Sequence, residues 1–118
     1  MTHAHKKAAF ALGVDGGGSK TLAVIVNEQG NEVGRGLAGS ANYQVIGLET
    51  AVKQIHTAVE QAAQAAHCQL PLRTAWLGLA GIDRPTDFDL LRPFLSTLAE
   101  KVLLTNDAEL LLAGLDNA

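Results

Sequence analysis

Apolar residues along this chain fall into short runs separated by turn residues. Ala8–Val14 and Leu22–Val26 are two such runs, brief and bounded by glycine or asparagine, as buried strands are. Asn27–Asn31 between Leu22–Val26 and the next run reads as a turn, with Gly30 available for positive φ. Glu32–Ala38 is a third strand, weakened by Gly34 and Gly36, and the three strands together predict an antiparallel meander. The period then changes. Leu48, Ala51, Val52, Ile55, Val59, Ala62, Ala63 and Ala66 recur at helical spacing, so Leu48–His67 reads as an amphipathic helix. Its many alanines allow close packing on a sheet. Pro71 separates it from a fourth strand, Thr74–Ala80. Thr86–Ala99 is helical in pattern, with Phe88, Leu91, Leu95 and Leu98 on its apolar side. Pro93 interrupts it and predicts a kink or two short helices. Lys101–Thr105 is a fifth strand, and Ala108–Leu115 begins a third helix. The order β-β-β-α-β-α-β-α predicts a mixed five-stranded α/β sheet. The fourth and fifth strands lie parallel to the first, with helices on both faces.

The candidate chemistry sits in the turns. Asp15-Gly16-Gly17-Gly18-Ser19-Lys20-Thr21 joins the first two strands. Its three glycines are expected to take positive φ and expose backbone N–H groups, which together form an anion-binding nest. Ser19 adds a hydroxyl, Lys20 a cation, and Asp15 a hard oxygen ligand of the kind Mg²⁺ recruits directly or through water. A carboxylate beside a phosphate nest is stable when a cation lies between them. The segment is not a P-loop: Gly13 and Gly18 have the spacing, but Ser19 stands where lysine is required and a strand follows. Nor is it a dinucleotide fingerprint, because Thr21 fills the last glycine position and no helix opens. The plain alternative is a glycine-rich hairpin turn.

In sheets of this kind ligands gather at the carboxyl ends of the parallel strands. Asp107, after the fifth strand, and Gly81–Asp83, after the fourth, belong at those ends, and the glycine turn should face the same crevice. Read as residues alone, Asp107 is either a base or a helix N-cap, Asp83 either a substrate contact or a cap, and Asn42 a loop residue tolerant of the left-handed region.

Composition narrows the class. The chain has 118 residues, 47% of them hydrophobic but only 4% aromatic, so its core is aliphatic. A net charge of −3 without a Lys/Arg cluster argues against a nucleic-acid surface. Cys68 is the single cysteine, which excludes an internal disulfide or thiolate metal site and suits a reducing cytoplasm. Lys6-Lys7 and the apolar run after them faintly mimic a signal peptide but lack a cleavage-like site. No stretch approaches membrane-span length. His56 and His67 read as solvated residues on or near the polar helix face. Residues 1–9 read as a tail and 10–118 as one domain.

These elements and motifs resemble the actin-like ATPase superfamily, with its ribonuclease H-like fold. More narrowly, the chain is similar to the N-acetylglucosamine kinase and BadF/BadG/BcrA/BcrD ATPase family. Four stretches carry the likeness: Gly13–Thr21, Ser40–Tyr43, Gly78–Asp83 and Thr105–Ala108. The resemblance implies ATP and Mg²⁺ as cofactors, with Asp15 holding the metal through water and Gly16, Gly17, Gly18, Ser19 and Lys20 around the ATP phosphates. It implies that Asn42 contacts a sugar hydroxyl, that Asp107 is the catalytic base, and that N-acetylglucosamine is converted to its 6-phosphate. It also implies an N-terminal kinase domain whose C-terminal partner domain, with a second phosphate motif and the adenosine site, follows Ala118. A homodimer is left open. Tyr43 stands where a Trp-like aromatic is expected, which leaves the sugar open, glucosamine included. Two rivals share the family's architecture. An activator of a 2-hydroxyacyl-CoA dehydratase needs cluster cysteines, for which Cys68 is a poor candidate. A non-catalytic ATP-binding regulator does not need the pairing of Asn42 with Asp107.

Overall fold

The computed structural model describes residues 10–106. Asp107, the expected helix Ala108–Leu115 and the tail 1–9 lie outside the described residues. The strands are β1 (Ala11–Gly16), β2 (Lys20–Val26), β3 (Glu32–Gly39), β4 (Leu72–Leu79) and β5 (Ala99–Thr105). The helices are α1 (Tyr43–Ile46), α2 (Leu48–Ala66) and α3 (Pro85–Leu95). One five-stranded sheet runs in the order β3-β2-β1-β4-β5. β1–β2 and β2–β3 pair antiparallel, while β1–β4 and β4–β5 pair parallel, as the element order predicts.

β1 and β2 reach further into the glycine turn than their apolar runs suggest. Asp15 pairs with Leu22 and Gly16 with Thr21, so ladder pairing carries both strands past the last apolar residue. Gly30 takes φ 82° in the β2–β3 turn, as expected.

Helices are expected on both faces; of the described helices α2 and α3 pack on the same one, and the expected third helix lies outside the described residues. His56 Nε2 on α2 lies 2.9 Å from the Phe94 carbonyl oxygen on α3, so this ring is engaged rather than simply solvated. The two crossovers advance in the same direction across the sheet, from β3 to β4 and on to β5, and the right-handed rule for such connections puts both helices on one side. Beneath them lie Leu12, Val14, Ala23, Ile25, Ala75 and Leu77, all buried. The alternate positions point the other way, and there Leu37, Trp76 and Leu103 are exposed.

Pro93 does not split α3, which runs unbroken from Pro85 to Leu95. It lies in the final turn, where the loss of one N–H costs a single bond to the preceding turn. The helix stops at Leu95 and the chain turns through a Leu98 N–H to Leu95 carbonyl bond of 3.1 Å. Leu98 is buried just beyond the helix, so the apolar period outruns the helix itself, and Ala99 already belongs to β5.

Gly34 and Gly36 set the distance between β3 and α2. A Cβ on Gly36 would strike the Ala58 carbonyl oxygen, and one on Gly34 would strike that of Ala62. Side chains of α2 also serve this edge strand: Gln54 Oε1 accepts from the Gly39 N–H at 2.7 Å and Gln61 Oε1 from the Leu37 N–H at 3.0 Å. Edge N–H groups that would otherwise be open to another chain are thereby satisfied. Cys68, just past the C-terminal cap of α2, is partly buried. Burial pushes its thiol pKa up, away from a reactive thiolate, in keeping with an inert residue.

Candidate functional site

The carboxyl ends of β1, β3, β4 and β5 all lie along one edge of the sheet, because β3 is antiparallel to β2 and therefore runs with β1. Three described loops leave that edge, the glycine turn, Ser40–Asn42 and Ala80–Arg84, and β5 ends there at Thr105. Hydrogen bonds join these three. The Gly16 carbonyl accepts from the Ala80 N–H at 2.7 Å. The Gly17 carbonyl accepts from the Ala41 N–H at 3.1 Å and from Ser40 Oγ at 3.4 Å. Thr21, fully buried, donates its hydroxyl to the Gly39 carbonyl at 2.7 Å.

None of Gly16, Gly17 and Gly18 has positive φ, contrary to the expectation from their sequence. Their smallness is used differently. A Cβ on Gly16 would lie 2.7 Å from Leu79 Cδ2 and 2.9 Å from Ala41 Cβ, so glycine lets three loops converge there. The Gly17 N–H closes the hairpin on the Lys20 carbonyl at 2.8 Å. A Cβ on Gly18 would meet nothing within 4 Å, and Gly18, Ser19 and Lys20 are exposed. Among the described residues the N–H groups of Gly18 and Ser19 take no hydrogen bond. An open tip with two uncommitted donors, a hydroxyl and an ammonium group fits a polyphosphate.

Asp15 projects from the sheet face opposite α2, at this same edge. It is flanked by Leu22 on one side and by Gly78 on the other, and is half-buried. Among the described residues no three His, Cys, Asp or Glu side chains form a metal cage. One carboxylate beside a turn of exposed N–H donors is too few ligands for a closed cage, but is the kind of site at which Mg²⁺ keeps several waters and takes other ligands from a bound phosphate.

Asn42 caps the short helix α1, an element the apolar pattern does not announce. Its φ of −80° is extended, not left-handed, and its Oδ1 accepts from the Gln44 N–H at 3.1 Å. That leaves the Nδ2 amide as the donor this residue can offer a hydroxyl. Gly81, at φ +88°, passes so close that a Cβ there would stand 3.0 Å from Asn42 Cγ.

Asp83 does not cap α3. Arg84 is the N-cap residue, and Asp83 is exposed. The carboxylate that serves the helix start is Asp87, which the apolar pattern does not single out and which is 1% exposed. Its Oδ2 accepts from the N–H groups of Asp83 at 3.0 Å and Arg84 at 2.9 Å. Its Oδ1 accepts from the Tyr43 hydroxyl, from the Arg84 guanidinium at 3.3 Å and from Gln44 Nε2 at 3.4 Å. An acidic residue three positions after a helix N-cap, with Pro85 between, was the available signal.

These donors, the Tyr43 hydroxyl first and then the two backbone N–H groups, hold the Asp87 carboxyl well below the usual carboxylate range. The unfolded group titrates near its ordinary value of 3.8, above the folded one. Its stabilising contribution is therefore complete above that pH and is lost as the pH falls below it. The gap in unfolding free energy between wild type and Asp87→Asn is expected to narrow from neutral pH to about pH 3. Urea titrations at several pH values check this, and a gap constant across the range would refute it.

A family model described as the BadF/BadG/BcrA/BcrD ATPase family matches residues 12–113. Glucosamine kinase GspK of Vibrio cholerae is 42% identical over 55 residues, covering 47% of this chain and 18% of that protein. N-acetyl-D-glucosamine kinase of Dictyostelium discoideum is 26% identical over 95 residues, covering 74% of this chain and 30% of that one. The chain thus spans under a third of either relative. Among solved structures, a Chromobacterium violaceum protein named as an N-acetylglucosamine kinase superposes with a TM-score of 0.71 at 19% identity, over 84% of this chain and 35% of its own. The ethanolamine utilization protein EutJ of Carboxydothermus hydrogenoformans gives 0.59 at 14% identity, over 81% of this chain and 36% of its own. The same mixed sheet therefore recurs in larger proteins, as the expected actin-like fold requires. Matched from the buried Leu12 of β1 through the whole described sheet and beyond it, this chain belongs to the BadF/BadG/BcrA/BcrD ATPase family.

Proposed function

We propose that this chain is the N-terminal domain of an ATP-dependent amino-sugar kinase that phosphorylates N-acetylglucosamine on its 6-hydroxyl. The observation that carries this reading is the convergence of the glycine turn, Asn42 and the Gly81 loop on one sheet edge, the edge where β5 ends at Thr105, two positions before Asp107 in the sequence. Phosphoryl transfer asks mainly for positioning and charge neutralisation, and each of these loops supplies a part.

MgATP, when bound, supplies the phosphoryl group and a cation that neutralises its charge. Gly18, Ser19 and Lys20 would hold the phosphates, Gly16 and Gly17 shape the turn, and Asp15 would orient water on the metal. Asn42 would donate to a sugar hydroxyl. Asp107 would accept the proton of the attacking hydroxyl as its oxygen bonds to the γ-phosphorus and the bond to the ADP leaving group breaks.

Glucosamine as acceptor is the second reading, favoured by the 42% match to a glucosamine kinase. For a dehydratase activator, Cys68 is a poor cluster ligand, since it lies at the amino-terminal approach to β4, the opposite edge from the glycine turn. The test is an ADP-release assay of the full-length protein against a panel of amino sugars. N-acetylglucosamine is expected to give the highest kcat/KM. No ADP release above the sugar-free rate with any of them would overturn the reading.

The 118-residue chain on its own is expected to have no kinase activity and to bind ATP weakly, since the nucleotide cleft needs a second domain. Turnover by this piece at the 1–100 s⁻¹ typical of intact kinases, about that of the full protein, would refute the two-domain site.

A further inference from the structure

We propose that Asp87 is a positioning residue for the sugar loop: its buried carboxylate ties α1 to the start of α3 and so fixes where Asn42 stands. The inference rests on the kinase reading above.

α1 has only four residues and buries none of them. A single turn of helix is unstable alone, because its ordering cost is met by one or two hydrogen bonds. Something outside α1 must therefore hold it, and no fully buried apolar side chain of its own does so. The Tyr43 ring packs partly buried against the core, and polar bonds fix the turn in place. The Tyr43 hydroxyl and Gln44 Nε2 both donate to Asp87 Oδ1, and Gln44 Nε2 also lies 3.2 Å from the Gly81 carbonyl. Asn42 immediately precedes these two residues and caps the same turn. On its other side Gly81 presses against the Asn42 side chain.

The carboxylate is placed to do this. It is 1% exposed, and five donors from four residues converge on its two oxygens. Two of them, the Asp83 and Arg84 N–H groups, would be explained by helix capping alone. The Tyr43 and Gln44 bonds would not, because they come from an element more than forty positions earlier in the chain. A group that served only α3 would have no need to reach α1.

Tyr43→Phe separates the two roles. It removes the bond to α1, keeps the ring, and leaves the cap on α3 intact. In the full-length enzyme, Tyr43→Phe and Asp87→Asn are each expected to raise the sugar KM on the order of 10-fold, as loss of a hydrogen bond to a charged group implies. The KM for MgATP should stay within about twofold, because the glycine turn is held by separate bonds. In an Asn42→Ala background the effect of Tyr43→Phe on sugar KM should disappear, since there is no longer a side chain to position. A merely structural role would not produce that dependence. If Asp87→Asn fails to fold, Tyr43→Phe with and without Asn42→Ala still decides the matter. An unchanged sugar KM, an equal rise in the Asn42→Ala background, or a parallel rise in both KM values would overturn the proposal. Wild type that turns over no amino sugar is seen before any variant is made, and it would remove the kinase reading and this inference together.

Discussion

Asp107→Asn in the full-length protein is expected to lower kcat by at least ~10²-fold, the lower end of what a positioned base contributes. The sugar KM should move little. Asparagine keeps the shape of the side chain and one acceptor oxygen, so it still receives a hydrogen bond from the hydroxyl. It cannot take the proton. Asparagine is also as good an N-cap as aspartate, so stability should change by less than about 0.5 kcal/mol. That near-equality makes the substitution decisive. If Asp107 were only a cap, the variant would be a silent one, with kcat close to wild type. Steady-state rates with sugar and MgATP both saturating give the answer. Equal rates would take Asp107 out of the chemistry while leaving the fold and family untouched.

The sheet was readable from the chain because each strand is a short apolar run with its own turn signal, and because the change from period two to period 3.6 marks where parallel pairing begins. Register followed less well. Asp15 pairs with Leu22, as a carboxylate at the end of the first strand should, but Gly16 belongs to β1 only through its pairing with Thr21, and nothing in a glycine announces it. Where tertiary contacts decide, the sequence pattern is silent. α1 has no apolar periodicity and no buried residue, so nothing in Tyr43–Ile46 distinguishes a helical turn from a polar loop. Leu98 continues the apolar spacing of α3 after the helix has ended, because a buried turn residue satisfies the same spacing.

The candidate site was legible in its backbone motifs and opaque in its support. Gly16–Gly18 marked the turn, but the expected reason was wrong: close approach of Leu79 and Ala41, not positive φ, demands glycine at position 16. Asp87 was hidden because its main partners are remote. A carboxylate near a helix start looks like a surface cap until Tyr43 and Gln44 arrive from the other side of the sheet edge. Sequence patterns show local periodicity and loop chemistry. They do not show which side chains are brought together by a crossover of this length.

The largest expected effect on stability is at Gly36. Glycine in a strand interior normally weakens it, and alanine is the better strand former by some fraction of ~1 kcal/mol. On propensity alone Gly36→Ala would be neutral or mildly favourable. Geometry reverses the sign. The added methyl would strike the Ala58 carbonyl oxygen, with Gln61 Cβ a further 2.8 Å neighbour. A flexible side chain could swing away, but a mid-helix carbonyl cannot move without α2 moving, and α2 is held by Ile55, Val59 and Ala62 in the core. Overpacking of this kind costs ~1–3 kcal/mol when side chains give way and more when backbone must. We expect Gly36→Ala to cost about 3 kcal/mol, a fall in Tm on the order of 15 °C for a domain of this size. Ala58→Gly should not rescue it, because the obstacle is a backbone atom that glycine retains. Gly18→Ala is the control: its Cβ meets open space, so its cost should stay within about 0.5 kcal/mol. Thermal unfolding of the three variants followed by circular dichroism tests the ranking. A Gly36→Ala protein as stable as wild type, or one restored by Ala58→Gly, would mean that α2 is not seated on β3 by backbone contact.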